Sequence, residues 1–341
     1  MSPEESALEH VVVQQTESHR DVIINPDLNE EQKAEAVKIV SSFDKVFTDV
    51  PGRTNATEHT IRLVDNTPFR MKQYPIPFHS REAVAKEMEE MLKTGVIRHS
   101  DSPYASPINV VKKKGGKIRL CIDFRKLNSI TIFDAEPIPT LDELLVKIEG
   151  AKYFTKLDLT KGYWQIPLAE KSKAYTAFQS PRGLMEFNFM PFGLSTAAHT
   201  FQRAMQEVLG RLSFIVSYFD DIMVYSNSWL DHVNDLQMAL QTIQDEDLTA
   251  RPKKSLVGFT SIEFLGHIVS RGIIQPDDAK KSKIENITPP TTKKEVQRTC
   301  GLFNYYRRFI PHFSELARPL TDLTRCRGKI VWTAELKARR V

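Results

Sequence analysis

The chain has 341 residues, of which 41% are hydrophobic and 26% charged, so it is too long for one small domain and has enough apolar material for a sizeable core. It lacks the run of about 18 apolar residues that a spanning helix needs, the opening MSPEESALEH lacks a secretory pattern, and Cys121, Cys300 and Cys326 form no C-x-x-C pair, which excludes a zinc ribbon and a disulfide framework. The net charge of +4 is uneven: residues 1–100 carry −5, 101–279 carry −1 and 280–341 carry +10, and a basic C-terminal part suits a polyanionic partner.

Asp27 to Glu30 reads as a capping box before a helix that runs to about Phe47. Residues 59–64 (HTIRLV) alternate as a short strand, and Pro68, Pro75 and Pro77 then impose an extended path. Val84, Met88 and Met91 predict a helix over Arg81–Thr94, stopped by Gly95. Residues 106–124 read as a hairpin that turns at Lys114–Lys117. A strand is expected over Ala151–Leu157, a helix over Thr196–Leu209, a tight hairpin over Phe214–Tyr225, a helix over Leu230–Asp245 and a strand over Phe264–Val269. Beyond Pro276 the pattern turns helical, with a capping box at Thr292 and Glu295 and a helix ending near Phe309, before Pro311.

The chemistry concentrates in the acids. SYFDDIMVYS (Ser217–Ser226) sets Asp220 and Asp221 between strand-forming residues. A regular strand would send them to opposite faces, and burying either without compensation is costly, so a turn exposing both to a cation is the economical arrangement. Hard oxygen ligands suit Mg²⁺. Asp158, at the end of the strand in KLDLTKGYWQIPL (Lys156–Leu168), supplies a third carboxylate and allows a two-metal site.

With these acids stand VPGRTNATEH (Val50–His59), SPYASPINVVKKKGGKIRLCIDFRKLN (Ser102–Asn128), FMPFGLSTAAHTFQ (Phe189–Gln202), FLGHIVS (Phe264–Ser270) and NYYRRFIPHFSELARPL (Asn304–Leu320). In this order, from about Val50 to Trp332, the sequence resembles the reverse transcriptases of gypsy-type LTR retrotransposons, the polymerase portion of a Pol polyprotein. The resemblance implies an α+β, right-hand polymerase with fingers, a palm made of an antiparallel sheet backed by helices, and a helical thumb. It implies an N-terminal extension with one helix over 1–58, fingers and palm over 59–268, a thumb over 269–321, and over 322–341 the start of a connection that stops short of an RNase H domain. The implied activity is RNA-directed and DNA-directed DNA polymerisation by two-metal nucleotidyl transfer with Mg²⁺, for which Mn²⁺ can substitute. The competing readings are an inert nucleic-acid-binding remnant and the ribonuclease H of the parent polyprotein, the latter not expected from these residues.

Residue by residue, the resemblance makes Asp158, Asp220 and Asp221 the catalytic metal ligands. It gives Tyr163 the position of a steric gate against the ribose 2′-hydroxyl, and Phe192 and Gly193 the floor of the nucleotide pocket. Lys113 and Arg119 would grip the triphosphate, and Lys254 would protonate the leaving pyrophosphate. Gln202 would face the template, and Leu265, Gly266 and His267 would form a primer grip. Lys293, Lys294 and Arg298, with Arg307 and Arg308, would track duplex phosphates. The implied partners are an RNA–DNA or DNA primer–template and deoxynucleoside triphosphates, with a second copy of the chain left open and no membrane; free thiols and the lack of targeting segments point to a cytoplasmic or nuclear setting. Phe219, Ala198-His199 and Thr299-Cys300 depart from the family pattern, and none removes an acid.

Overall fold

The structure is a computed structural model that describes residues 15–112, 118–271, 273–276, 281–282, 284 and 287–325. It divides at Thr260–Ser261 into two compact units.

In the first unit the strands are β1 (Ile23–Ile24), β2 (Ile97–His99), β3 (Ile108–Lys112), β4 (Ile118–Ile122), β5 (Tyr153–Asp158), β6 (Phe178–Ser180), β7 (Gly183–Phe187), β8 (Ile215–Tyr218), β9 (Asp221–Ser226) and β10 (Leu256–Phe259). The helices are α1 (Glu30–Ser42), α2 (Arg81–Lys93), α3 (Arg125–Ile130), α4 (Leu141–Lys147), α5 (Glu170–Lys173), α6 (Ala197–Leu209) and α7 (Trp229–Asp245). The main sheet has the order β1-β10-β5-β9-β8; β1 joins β10 in parallel and the other pairs are antiparallel. A three-stranded sheet (β2-β7-β6) and the β3–β4 hairpin complete the unit.

Alternation along β5 decides what the sheet can do. Thr155 and Leu157 face one side while Lys156 and Asp158 face the other. Thr155 meets His232 of α7, so Asp158 lies on the face turned away from that helix. Both backing helices bury one stripe: Phe201, Ala204 and Met205 on α6, and Leu236, Ala239, Leu240 and Ile243 on α7. They cover Leu157, Ile222, Val224 and Val257 of the sheet in one core. Each such large apolar side chain contributes about 1.5–3 kcal/mol on burial.

The second unit holds β11 (Ser261–Phe264), β12 (His267–Ser270) and β13 (Ile273–Pro276) as an antiparallel meander, and the helices α8 (Lys293–Tyr305) and α9 (Phe313–Arg325), which pack on each other.

Helix α2 ends where its pattern demands, with Gly95 in the left-handed region and Val84, Met88 and Met91 buried. Other expectations are corrected. The cap of α1 is Asn29 with Gln32, not Asp27 with Glu30, and the helix ends at Ser42, after which Phe47 bridges to Ala250 as extended chain. Residues 59–64 make only isolated bridges, at His59 and Leu63. The strand expected over Phe264–Val269 is two strands, because Leu265 and Gly266 take positive φ of 47° and 76° and fold the chain back. The capping box at Thr292 and Glu295 forms, but α8 ends at Tyr305 and a short 3₁₀ turn covers Arg307–Phe309. Residues 15–58, expected as an extension, lie within the first unit and supply β1 to its main sheet. The turn expected at Lys114–Lys117 lies outside the described residues, as does the chain beyond 325. Among the described residues no helix is long and apolar enough to cross a membrane.

Candidate active site

Strand β5 ends at Asp158, directly opposite Asp221 at the start of β9. Tyr218 also pairs with Asp221, so only Phe219 and Asp220 form the turn between β8 and β9. Phe219 has φ of 53°, which a bulky residue adopts only when its surroundings hold it there. Gln202 of α6 provides that support: its side-chain carbonyl accepts from the Phe219 N–H at 3.2 Å. Asp220 accepts at its backbone carbonyl from the Leu159 N–H at 3.2 Å, which ties the turn to the residue after Asp158. All three acids therefore stand at one end of the sheet.

Their charges are partly met by lysines. Lys254 places Nζ at 2.8 and 3.1 Å from the two carboxylate oxygens of Asp158. Lys156, two residues before Asp158 and on the same face of β5, places Nζ at 2.9 Å from Asp221. Asp220 is exposed, yet the protein packed about it displaces enough water to raise its carboxyl pKa, and the charges of Asp221 and Asp158 add to the rise; Lys254 opposes it.

The chain turns sharply after β5. Lys161 is left-handed, with Nζ over the Trp164 ring at 4.4 Å, and a 3₁₀ turn spans Gly162–Gln165. Gln165 is fully buried and fixes this turn: its side-chain N–H groups reach the carbonyls of Thr160 and Thr249, and its Oε1 accepts from the Thr249 N–H. Gly162 lies against the acids, since a Cβ there would stand 3.0 Å from the Phe201 ring and 3.4 Å from Cβ of Asp220. Tyr163 follows, stacked on Phe192 with centroids 5.0 Å apart and 20° between planes, and 5.3 Å from Phe201. Burial, and then the charge of Asp220, push the Tyr163 hydroxyl pKa up. Gly193 has φ of 99°, and Asn128 brackets it: the Asn128 amide donates to the Gly193 carbonyl at 2.8 Å, and its oxygen accepts from the Ser195 N–H at 2.9 Å.

Asp158, Asp220, Asp221, Tyr163, Phe192, Gly193 and Lys254 are thus brought into one neighbourhood. Gln202, expected to face the template, is buried instead and holds the acidic turn. Lys113 and the side chain of Arg119 lie outside the described residues; the Arg119 backbone pairs with Val111. In the second unit, Leu265 and Gly266 form the β11–β12 turn, and the Tyr305 hydroxyl donates to the Leu265 carbonyl. His267 is buried against Tyr305, Tyr306 and Phe309. Lys293, Lys294 and Arg298 are exposed on α8. Sequence reasoning missed Lys156, Gly162 and Asn128; the i, i+2 spacing of Lys156 to Asp158 could have found the first.

Three clustered carboxylates offer hard oxygen donors of the kind that Mg²⁺ accepts, and a raised Asp220 pKa marks a place where added positive charge is welcome. Among the described residues no three acidic, His or Cys side chains form a ready-made metal cage. That is compatible with Mg²⁺, which takes one or two carboxylates and completes its shell with waters and substrate phosphates. The donor set fits the ion.

Residues 111–269 match the family described as Reverse transcriptase (RNA-dependent DNA polymerase). The chain is 40% identical over 284 residues to the Retrovirus-related Pol polyprotein from transposon 297 of Drosophila melanogaster, covering 81% of this chain and 27% of that protein. It is 37% identical over 313 residues to the corresponding polyprotein from transposon gypsy of the same organism, covering 89% and 30%. The chain therefore spans less than a third of the length of these relatives. Among solved structures, a foamy viral protease-reverse transcriptase in complex with double-stranded DNA superposes with a TM-score of 0.85 at 25% identity, over 96% of this chain and 60% of that one. The foamy viral enzyme with an RNA/DNA hybrid superposes with a TM-score of 0.79 at 26% identity, over 92% and 43%. The fold is the α+β right-hand polymerase fold. With this fold, this match and these relatives, residues 111–269 form a reverse transcriptase domain and the chain is akin to the gypsy-type retrotransposon Pol polyproteins.

Proposed function

We propose that this chain is an RNA-directed DNA polymerase that extends a primer on an RNA or DNA template. The observation that carries this reading is the register of β5 against β9, which sets Asp158 opposite Asp221 with Asp220 in the turn beside them. Asp158, Asp220 and Asp221 would hold the divalent ions, Mg²⁺ or Mn²⁺. When bound, such ions activate the attacking 3′-hydroxyl and neutralise the triphosphate.

The protein's own groups then have distinct tasks. Stacking on Phe192 and crowding by Phe201 fix the Tyr163 ring, so it stands as a wall that a 2′-hydroxyl would strike. Asn128 holds the Phe192–Gly193 turn, and with it the floor under the nucleotide. Lys254, with Nζ 2.8 Å from the Asp158 carboxylate, is assigned to protonate the pyrophosphate leaving group. Lys113 and Arg119 are assigned to the triphosphate, and the exposed Lys293, Lys294 and Arg298 to duplex phosphates, a contact blind to sequence and weakened by salt. Residues 59–268 are read as fingers and palm, with the primer grip at Leu265–His267, and 269–321 as the thumb.

The test is primer extension on a primed homopolymer RNA template with Mg²⁺, for the wild-type chain and for Asp220→Asn. Extension by the wild type and its loss in the variant are expected. The variant should melt no lower than the wild type, since it removes a charge that its neighbours disfavour. Salt-sensitive binding of primer–template without extension by the wild type would refute the polymerase reading and leave a binding protein.

A further inference from the structure

The turn that carries Lys254 is held from outside by residues far upstream in the chain. Its inner side touches the site: the Arg251 N–H donates to the Asp158 carbonyl at 2.7 Å, and Lys254 reaches the Asp158 carboxylate. On its outer side, Oε1 of Glu17 lies 3.3 Å from a guanidinium nitrogen of Arg251 and 3.7 Å from Nζ of Lys253. Glu17 is buried, and its Oε2 finds no hydrogen-bond partner among the described residues. The segment that carries it is itself pinned. The Asp49 carboxylate accepts from the N–H of Thr16 and of Glu17, and the N–H groups of Ile23 and Asn25 donate to the carbonyls of Ser255 and Val257.

A buried carboxylate is an expensive way to cover a turn. An apolar residue of similar volume would do so at lower cost in desolvation. The turn itself explains the need. Arg251, Lys253 and Lys254 put three cations within four residues, and such neighbours repel. Glu17 draws two of them outward and leaves Lys254 facing Asp158.

We propose that Glu17 is a positioning residue for nucleotidyl transfer, which sorts the cations of the Arg251–Lys254 turn so that Lys254 is delivered to the reacting centre. This rests on the role given above to Lys254. Residues well upstream of the 111–269 match would then belong to the polymerase machinery as well as to the fold.

The experiment compares the full chain with E17Q, E17D, K254M and E17Q/K254M in single-turnover extension, with hydrogen exchange at the Arg251 amide as a readout that does not depend on activity. E17Q should slow turnover about tenfold and leave the nucleotide KM within about twofold, because it disturbs placement and not binding. E17D, which keeps the charge, should recover part of the loss. K254M should be slower still, and the double variant no slower than K254M, since nothing is left to sort. In E17Q the Arg251 amide should exchange about tenfold faster while Ile222 and Met223 in β9 are unchanged, as expected for a local loss of anchorage. Should E17Q fail to fold, R251Q breaks the same contact and carries the same expectations. Wild-type turnover in E17Q, or losses that multiply in the double variant, would overturn the proposal and leave Lys254 its role. Wild-type turnover in K254M would refute that role and the proposal with it.

Discussion

Acidification should destabilise this protein through two buried histidines. His232 is 1% exposed and lies between two hydroxyls, Thr155 Oγ1 at 2.8 Å from Nε2 and Ser226 Oγ at 3.1 Å from Nδ1. Thr155 Oγ1 already accepts from the Gly258 N–H, and Ser226 donates to Asp235. The hydrogen-bond directions therefore assign a neutral ring with its proton on Nδ1, donated to Ser226, and with Nε2 accepting from Thr155. Burial lowers its pKa to about 4. His59 is also buried, with Nδ1 2.8 Å from the Thr200 hydroxyl, and burial followed by the charge of Arg203 lowers its pKa to about 4. Both folded values lie below the unfolded value of about 6.5, so between these limits the unfolded chain binds more protons. Stability is present above pH 6.5 and falls as pH drops toward 4. From pH 7 to pH 5 the linkage relation gives a loss of about 2 kcal/mol per histidine, or about 4 kcal/mol together. Against a total of about 5–15 kcal/mol that is a large share. Urea denaturation at pH 7 and pH 5 measures it. His59→Gln and His232→Gln, which cannot titrate, should each remove about 2 kcal/mol of the pH-dependent difference. A difference the same in both variants as in the wild type would refute the reasoning, because another group would then carry the proton uptake.

Three further substitutions probe the site. Gly162→Ala should cost about 1–3 kcal/mol by overpacking against Phe201, and should slow extension about 100-fold by shifting the ring that packs on Tyr163, so thermal melting and turnover separate the two effects. Asn128→Ala removes two hydrogen bonds at the Phe192–Gly193 turn and should raise the nucleotide KM about tenfold with little change in melting, as steady-state kinetics would show. Tyr163→Val removes the stacked ring and should narrow the preference for deoxynucleotides over ribonucleotides; an unchanged preference in competitive incorporation would remove Tyr163 from that role.

Much of this was legible from residue order because the local signals were strong. Helices α2, α6 and α7 carry apolar stripes at helical spacing, and the acids of the β8–β9 turn sit between strand formers. What stayed hidden depends on residues distant in sequence. The burial of Gln202 follows from the left-handed Phe219 whose N–H it satisfies, and no periodicity on α6 announces that partner. The membership of β1 in the main sheet rests on two residues, too few for an alternation to register, and on β10, which comes far later in the chain. Helix α9 escaped because Pro319 lies within it and reads as a breaker.

The order of strands in the main sheet also governs how the protein comes to exist. Only β8 and β9 are neighbours both in sequence and in space; β5 and β10 must close long loops to reach their places. Such topologies fold slowly, since the entropy of closure is lost before the contacts return it. On a ribosome, β5 emerges with Phe154 and Leu157 uncovered and waits for β9, the backing helices and finally β10. That interval is when chaperones or proteases would act on the nascent chain, and the acidic centre forms within it, when β9 pairs with β5.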